Sequence, residues 1–179
     1  MIERRDFLRF GLMMGAGVLM PNSLSANTEE RTLHLYHIHT HERIRSTFWA
    51  DGEYIYEELE NLEYFLRDYR NDEIHKIDLG LIEYLYDIQT LLDPKEIHII
   101  SAFRSRYTNN YLRRHSKGVA KNSYHTKGKA VDIRIPETSL STLKYAALSL
   151  KRGGVGYYPR SNFIHIDTGI PRYWRFPRR

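Results

Sequence analysis

Three residues from two separate stretches of the chain set the tightest constraint on its fold. His125 and Asp132 stand in Ser123-Tyr-His-Thr-Lys-Gly-Lys-Ala-Val-Asp132, and His165 stands in Phe163-Ile-His-Ile-Asp167. Both stretches contain β-type sequence. Two imidazoles and a carboxylate are the donors a catalytic zinc needs if its fourth position is to stay open for water. Closed structural zinc sites favour thiolates, and this chain has no cysteine. A fold that brings the two segments together therefore makes a metal site. The plainer alternative is chance, since nine histidines will leave some near an aspartate. The flanking residues speak for the site. Val131-Asp132-Ile133 reads as a buried strand with one polar residue, and a carboxylate among Val and Ile is costly unless paired or metal-bound. Gly128 and Ala130 are small, as where another backbone or a ligand passes close by.

The N-terminus bears on where such a site would work. Arg4-Arg5-Asp6-Phe7-Leu8-Arg9 is a paired-arginine segment, Phe10 to Met20 is apolar and uncharged, and Leu24-Ser25-Ala26 offers small residues to a signal peptidase. The apolar run is too short to span a bilayer comfortably. Residues 1–26 thus read as a twin-arginine signal peptide, directing the protein to the periplasm without stable membrane insertion afterwards. The remainder, 27–179, is one domain of 153 residues. Without cysteine it has neither a lipidation site nor a disulfide framework. Its 24 basic and 20 acidic side chains leave a formal +4. That balance suits an anionic partner, and charge alone does not choose between peptidoglycan carboxylates and nucleic acid.

Periodicity predicts an α+β domain with an antiparallel or mixed central sheet and flanking helices. Thr32 to His39 and Arg43 to Trp49 read as a hairpin around Thr40-His41-Glu42, and Asp51-Gly52 as a turn. A helix is expected over Glu53 to Tyr69, with Ile55, Leu59, Leu62, Phe65 and Leu66 on one face. Asp78 caps a second helix ending near Leu92, followed by a strand over Glu96 to Ser101 and a short helix over Tyr107 to Arg114. Lys129 to Ile135 is the strand bearing Asp132. A helix from Ser139 or Ser141 runs to Lys151, and Val155–Tyr158 with Asn162–Asp167 form a last hairpin.

Ser123-x-His125 with Gly128, Ala130, Asp132 and then His165 resembles the motif of the zinc D-alanyl-D-alanine metallopeptidases. That group shares a wider assemblage with lysostaphin-type enzymes and the hedgehog signalling domain. Within it, the chain is most similar to exported murein endopeptidases. Arg67-Asp68-Tyr69-Arg70, Ser101-Ala-Phe-Arg-Ser105, Thr108-Asn-Asn110 and Val155-Gly-Tyr-Tyr-Pro159 carry this, over nearly all of residues 27–179. The resemblance implies a hedgehog/D-Ala-D-Ala-peptidase-like fold. It also implies one zinc per chain, held by His125, Asp132 and His165. Arg104 becomes the cation that polarises the scissile carbonyl, and Ser123 a hydrogen-bonding support of the site. The implied substrate is cross-linked peptidoglycan stem peptide, with no nucleic-acid partner. The cross-link would join D-Ala to diaminopimelate or two diaminopimelates.

One position departs from the pattern. Many relatives place a catalytic carboxylate three residues before the last ligand histidine, and here that residue is Asn162. Asp167 shares a strand face with His165 and is the nearest replacement as general base. It could equally accept a hydrogen bond from a ligand histidine. Two other segments carry no such motif. His37, His39 and His41 alternate, with His34 close by; on a strand they could hold a metal, and a solvated or substrate-groove face is the simpler reading. The tail from Arg172 mixes aromatics with cations and reads as wall-contacting or solvated. Tyr107, Tyr124, Tyr157 and Tyr158 line a cleft or simply pack. Loss of hydrolysis with zinc retained, and trimming of free stem ends, stay open beside endopeptidase action.

Overall fold

The computed structural model describes residues 29–116 and 118–176, so the signal peptide expected over residues 1–26 lies outside the described residues. Strands β1 (Arg31–His37) and β2 (Arg43–Ala50) form the expected first hairpin. Asp51 and Gly52 then turn with φ of 53° and 85°, the left-handed pair that lets Asp-Gly close a two-residue hairpin. The next two residues are therefore strand β3 (Glu53–Tyr54), paired with Trp49 and Ala50. This shortens the expected helix at its start, and α1 runs Tyr56–Phe65. It also ends early. The Asp68 carboxylate accepts from the backbone N–H groups of Arg70 and Ser105, at 3.2 and 2.9 Å. An aspartate that binds nearby backbone in this way competes with helix.

Helix α2 (Leu79–Leu92) begins after Asp78 and stops at Asp93, which is left-handed at φ 44°. Then follow β4 (Ile97–Ser101), α3 (Arg106–His115), a short 3-10 turn (Tyr124–Lys127) and β5 (Ala130–Arg134). After these come α4 (Leu140–Leu150), β6 (Gly154–Tyr158), β7 (Phe163–Asp167) and β8 (Arg172–Arg175). Ser105 and Ser139 cap α3 and α4, each accepting from the N–H three residues on at 3.0 Å. The tail, expected to be wall-contacting or solvated, is partly strand, since β8 pairs parallel with β6. One mixed sheet results, in the order β3-β2-β1-β4-β5-β7-β6-β8, with β1–β4 and β6–β8 as its parallel pairs. The architecture is α+β, as the element order predicts.

Alternation divides the central strands into two faces. Val131 and Ile133 of β5, Val155 of β6, and Ile164 and Ile166 of β7 are wholly buried in the core. In that core Leu81, Leu85 and Ile88 of α2 pack with Leu143 and Ala147 of α4. Each Val, Leu or Ile among them stabilises by about 1.5–3 kcal/mol when fully buried. The core face therefore sets the register, because a slip by one residue would push Asp132 and His165 into it. On the opposite face, register places Ser101, Asp132, His165, Gly156 and Trp174 in one row across five strands.

Candidate metal centre

His125 comes to this face on the 3-10 turn. Ser123 caps that turn, its hydroxyl oxygen accepting from the His125 N–H at 3.4 Å, and Gly128 ends it at φ 63°. A Cβ on Gly128 would stand 2.2 Å from the Lys76 carbonyl oxygen. Its small size thus answers to a neighbouring backbone, one of the two expectations. The imidazole is then oriented from behind, with Nδ1 donating to the Ala102 carbonyl oxygen at 2.6 Å. A carbonyl can only accept, so Nδ1 carries the proton and Nε2 keeps its lone pair.

His165 is fixed the same way with its nitrogens exchanged. Its Nε2 donates to Asp167 Oδ2 at 3.0 Å, leaving Nδ1 for the site. Three atoms converge there. His125 Nε2 and His165 Nδ1 are 3.1 Å apart, His165 Nδ1 and Asp132 Oδ1 3.0 Å, and His125 Nε2 and Asp132 Oδ1 3.3 Å. Ligands about 2.0–2.1 Å from a tetrahedral ion stand roughly 3.3–3.4 Å from one another, so the triangle has the size zinc requires. His125, Asp132 and His165 form the one group of three metal-ligating side chains within reach of each other among the described residues.

The electrostatics agree with a cation at this point. Burial, then the Arg104 charge, lowers the His125 pKa to about 4, so its imidazole is neutral at pH 7. Burial would raise the Asp132 pKa, yet His125 and His165 outweigh it and hold the carboxyl well below its usual range. Burial likewise opposes a proton on His165, but hydrogen bonds to Asp132 and Asp167 carry its pKa upward. Two imidazole nitrogens facing each other need a positive charge between them. Without a metal the His165 proton supplies it, and a metal ion would take that proton's place.

Arg104 is 8% exposed. Its Nη2 donates to Asp132 Oδ2 at 3.3 Å, and its Nε has no partner among the described residues. Arg104 and the three convergent residues line a cleft of about 610 Å³. His39, Tyr69 and Arg70 form another part of its wall, with His39 stacked on Tyr69 at 4.2 Å and the Arg70 guanidinium 4.1 Å from the Tyr69 ring centre. Tyr124 and Tyr158 also line the cleft; Tyr107 is exposed, and Tyr157 packs against the core.

Other expected residues sit as follows. Asp167 is wholly buried and both its oxygens are occupied. Oδ1 accepts from the Gly154 and Gly169 N–H groups and Arg172 Nη1; Oδ2 accepts from His165 Nε2 and Arg172 Nη2. Asn162 is exposed in the last hairpin turn at φ 53°, a conformation that suits Asn, one residue before β7 begins. The alternating histidines do not share a face, because β1 ends at His37. His37 is buried, its Nδ1 accepting from the His39 and Thr40 N–H groups at 3.3 Å. His41 Nδ1 pairs with the Tyr36 hydroxyl, and the His34 N–H donates to Gln89.

Residues 25–174 match the family model described as Peptidoglycan L,D-endopeptidase MepK. The chain belongs to the MepK family. The Peptidoglycan L,D-endopeptidase MepK of Escherichia coli (strain K12) is 48% identical over 176 residues, covering 96% of this chain and 97% of that protein. The protein of that name from Shigella flexneri is equally similar. The Probable peptidoglycan L,D-endopeptidase MepK of Haemophilus influenzae (strain ATCC 51907 / DSM 11121 / KW20 / Rd) is 45% identical over 179 residues, covering 97% and 96%. No solved structure matches the chain significantly. The MepK relatives span almost the whole chain, and the residues of the cleft fall within the matched segment except Phe176. Ala102, Arg172 and Trp174 adjoin the site and were not among its expected residues, although Ala102 lies in the Ser101–Ser105 motif and Arg172 and Trp174 in the basic-aromatic tail.

Proposed function

We propose that the protein is an exported zinc-dependent peptidoglycan endopeptidase, and that it hydrolyses L,D cross-links between stem peptides. The observation that carries this reading is the triangle of ligand atoms, 3.0–3.3 Å on a side, beside a buried arginine in a MepK-family chain. A zinc ion bound there supplies a Lewis acid and a water whose pKa falls to about 7. The chain's own residues do the rest. His125 and His165 present Nε2 and Nδ1 because Ala102 and Asp167 hold their other nitrogens. Ser123 supports the set by capping the turn that carries His125.

Arg104 offers a permanent charge and an unpartnered Nε to an oxyanion developing on the scissile carbonyl. Tyr158 is a second donor. Its hydroxyl accepts from Trp174 Nε1 at 3.1 Å, which leaves its own proton for an acceptor in the cleft, and burial raises its pKa so that the phenol stays protonated. Asp167 positions His165 and does not take the proton of water, since every direction around its oxygens is already used. Arg70, with no carboxylate partner among the described residues, suits the free carboxylates of stem peptides. An L,D cross-link joins the L-centre carbonyl of one diaminopimelate to the D-centre nitrogen of another, so that bond is preferred here to a D-alanine link. Residues 1–26 would carry the folded protein to the periplasm by the twin-arginine route.

Incubation with purified cross-linked muropeptides, followed by mass analysis, tests the proposal. Cleavage between two diaminopimelates is expected, lost on chelation and restored by zinc. His125→Ala, Asp132→Ala and His165→Ala should each lose tight zinc binding and hydrolysis together. Undiminished zinc content in His165→Ala, or hydrolysis indifferent to chelator, would overturn the reading. Release of free D-alanine alone would make the protein a carboxypeptidase.

A further inference from the structure

β6 lies between β7 and β8, yet the side chains of β8 reach across it. In a sheet, strands two apart are separated by roughly 9.5 Å, and side chains of the middle strand normally fill the gap. Here the middle positions are bare. Gly156 pairs with His165 on one side and Trp174 on the other, and Gly154 pairs with Arg172. A Cβ on Gly154 would stand 2.4 Å from Arg172 Nη1 and 2.6 Å from Asp167 Oδ2. One on Gly156 would stand 2.6 Å from the Trp174 ring. The glycines are therefore what lets two residues of the last strand touch residues of β7.

Both contacts end on the same histidine. Arg172 grips Asp167 with a fork, Nη1 to Oδ1 at 2.9 Å and Nη2 to Oδ2 at 2.6 Å. That same Oδ2 receives His165 Nε2. Trp174 lies against the His165 ring, centroids 5.2 Å apart and tilted by 53°. The Arg172 guanidinium is also 5.4 Å from the ring centre of Tyr124, the residue before His125. An imidazole pinned at Nε2 and on one face has little freedom to turn Nδ1 away. A two-pronged arginine fixes both carboxylate oxygens, and so the direction from which Nε2 is held.

We infer that β8 is a brace for the metal centre, in which Arg172 acts through Asp167 as the positioning residue for His165. The inference rests on the zinc site proposed above. Zinc affinity, measured by competition with a chromophoric chelator on the purified protein, separates bracing from mere anchoring of the tail. Arg172→Gln keeps a polar side chain but is shorter and loses the charge and the fork. It should bind zinc about 10–100-fold more weakly, the usual loss when the outer partner of a ligand is removed. Its cobalt(II)-substituted form should have a changed visible spectrum. Arg172→Lys should recover part of the affinity. Tyr173→Ala, on the same strand with its side chain away from the site, should match wild type. Zinc affinity of Arg172→Gln within twofold of wild type would overturn the inference. Should that variant not fold, Arg172→Lys decides instead, and wild-type affinity there overturns it. Wild-type protein that bound no zinc would sink the proposed function first, a different result from a wild-type site indifferent to Arg172.

Discussion

Replacing Arg104 by alanine separates the oxyanion role proposed for it from the contact it makes within the protein. Towards substrate, the guanidinium would offer donors to an oxyanion. Removing one donor of that kind costs about 100-fold or more in turnover, or ~2.7 kcal/mol in the barrier. Towards the protein, Arg104 is the only side chain within hydrogen-bond distance of Asp132 Oδ2 among the described residues. Leaving that buried acceptor unpaired costs about 1–3 kcal/mol. The second cost falls mainly on the metal-free form, because a cation bound at Oδ1 would neutralise the carboxylate charge that Arg104 otherwise balances. Arg104→Ala should therefore lower kcat by ~100-fold or more at saturating zinc, with KM changed much less, since the charge it meets develops in the transition state. Metal-free protein should lose about 1–3 kcal/mol of stability, and zinc-loaded protein clearly less. Turnover of cross-linked muropeptides, with urea unfolding of both forms, measures the two tasks separately. A kcat within threefold of wild type would refute the oxyanion role. Equal destabilisation with and without zinc would refute the account of Asp132.

Acidification should weaken the fold through His37. Burial lowers its pKa from 6.5 to about 4, so its stabilising effect is complete above pH 6.5 and is lost as pH falls towards 4. The loss approaches about 1.4 kcal/mol per unit and on the order of 3 kcal/mol in all. Urea unfolding of zinc-loaded His37→Phe between pH 7.5 and 5 should show a shallower decline than wild type; parallel curves would contradict this. Gly128→Ala sets a side chain at φ 63° and 2.2 Å from the Lys76 carbonyl oxygen, and should cost at least about 2 kcal/mol with weakened zinc binding. A melting temperature within two degrees of wild type would count against that geometry. Arg4→Lys with Arg5→Lys should strand the precursor in the cytoplasm, because an ammonium does not reproduce a guanidinium fork. Normal arrival in the periplasm on fractionation would point to the general secretory route.

Where a segment's own residues decide its structure, the sequence could be read directly. The period-two runs at Val131–Ile133 and Phe163–Asp167, the helical spacing of Ile82, Leu85 and Ile88, and the helix starts at Asp78 (which makes no side-chain capping bond) and at Ser139, one of the two serines expected, are local. Each appears in the fold where expected. The helix expected from Glu53 failed at both ends for a physical reason. Apolar spacing does not reveal that Asp51-Gly52 will turn the chain into a hairpin, or that Asp68 will bind the Ser105 backbone 37 residues on.

The candidate site divides in the same way. His125, Asp132 and His165 were legible because chemistry restricts a ligand set to few residue types, in strand and turn contexts that local sequence encodes. Their supports were not. Ala102 acts through a backbone carbonyl, which no side-chain pattern reveals. Asp167 was open between two roles, and the Arg172 and backbone N–H groups that meet its oxygens are not marked in its own segment. Arg172 and Trp174 read as part of a wall-contacting or solvated tail because a lone basic-aromatic stretch has no period to read. Their place follows from strand order, with β8 laid parallel to β6 over two bare glycine positions. Residue identity determined which atoms can bind a metal and which strands and helices can form. Tertiary structure alone decided which nitrogen of each histidine faces the site, because that depends on the acceptor that long-range packing places behind the ring.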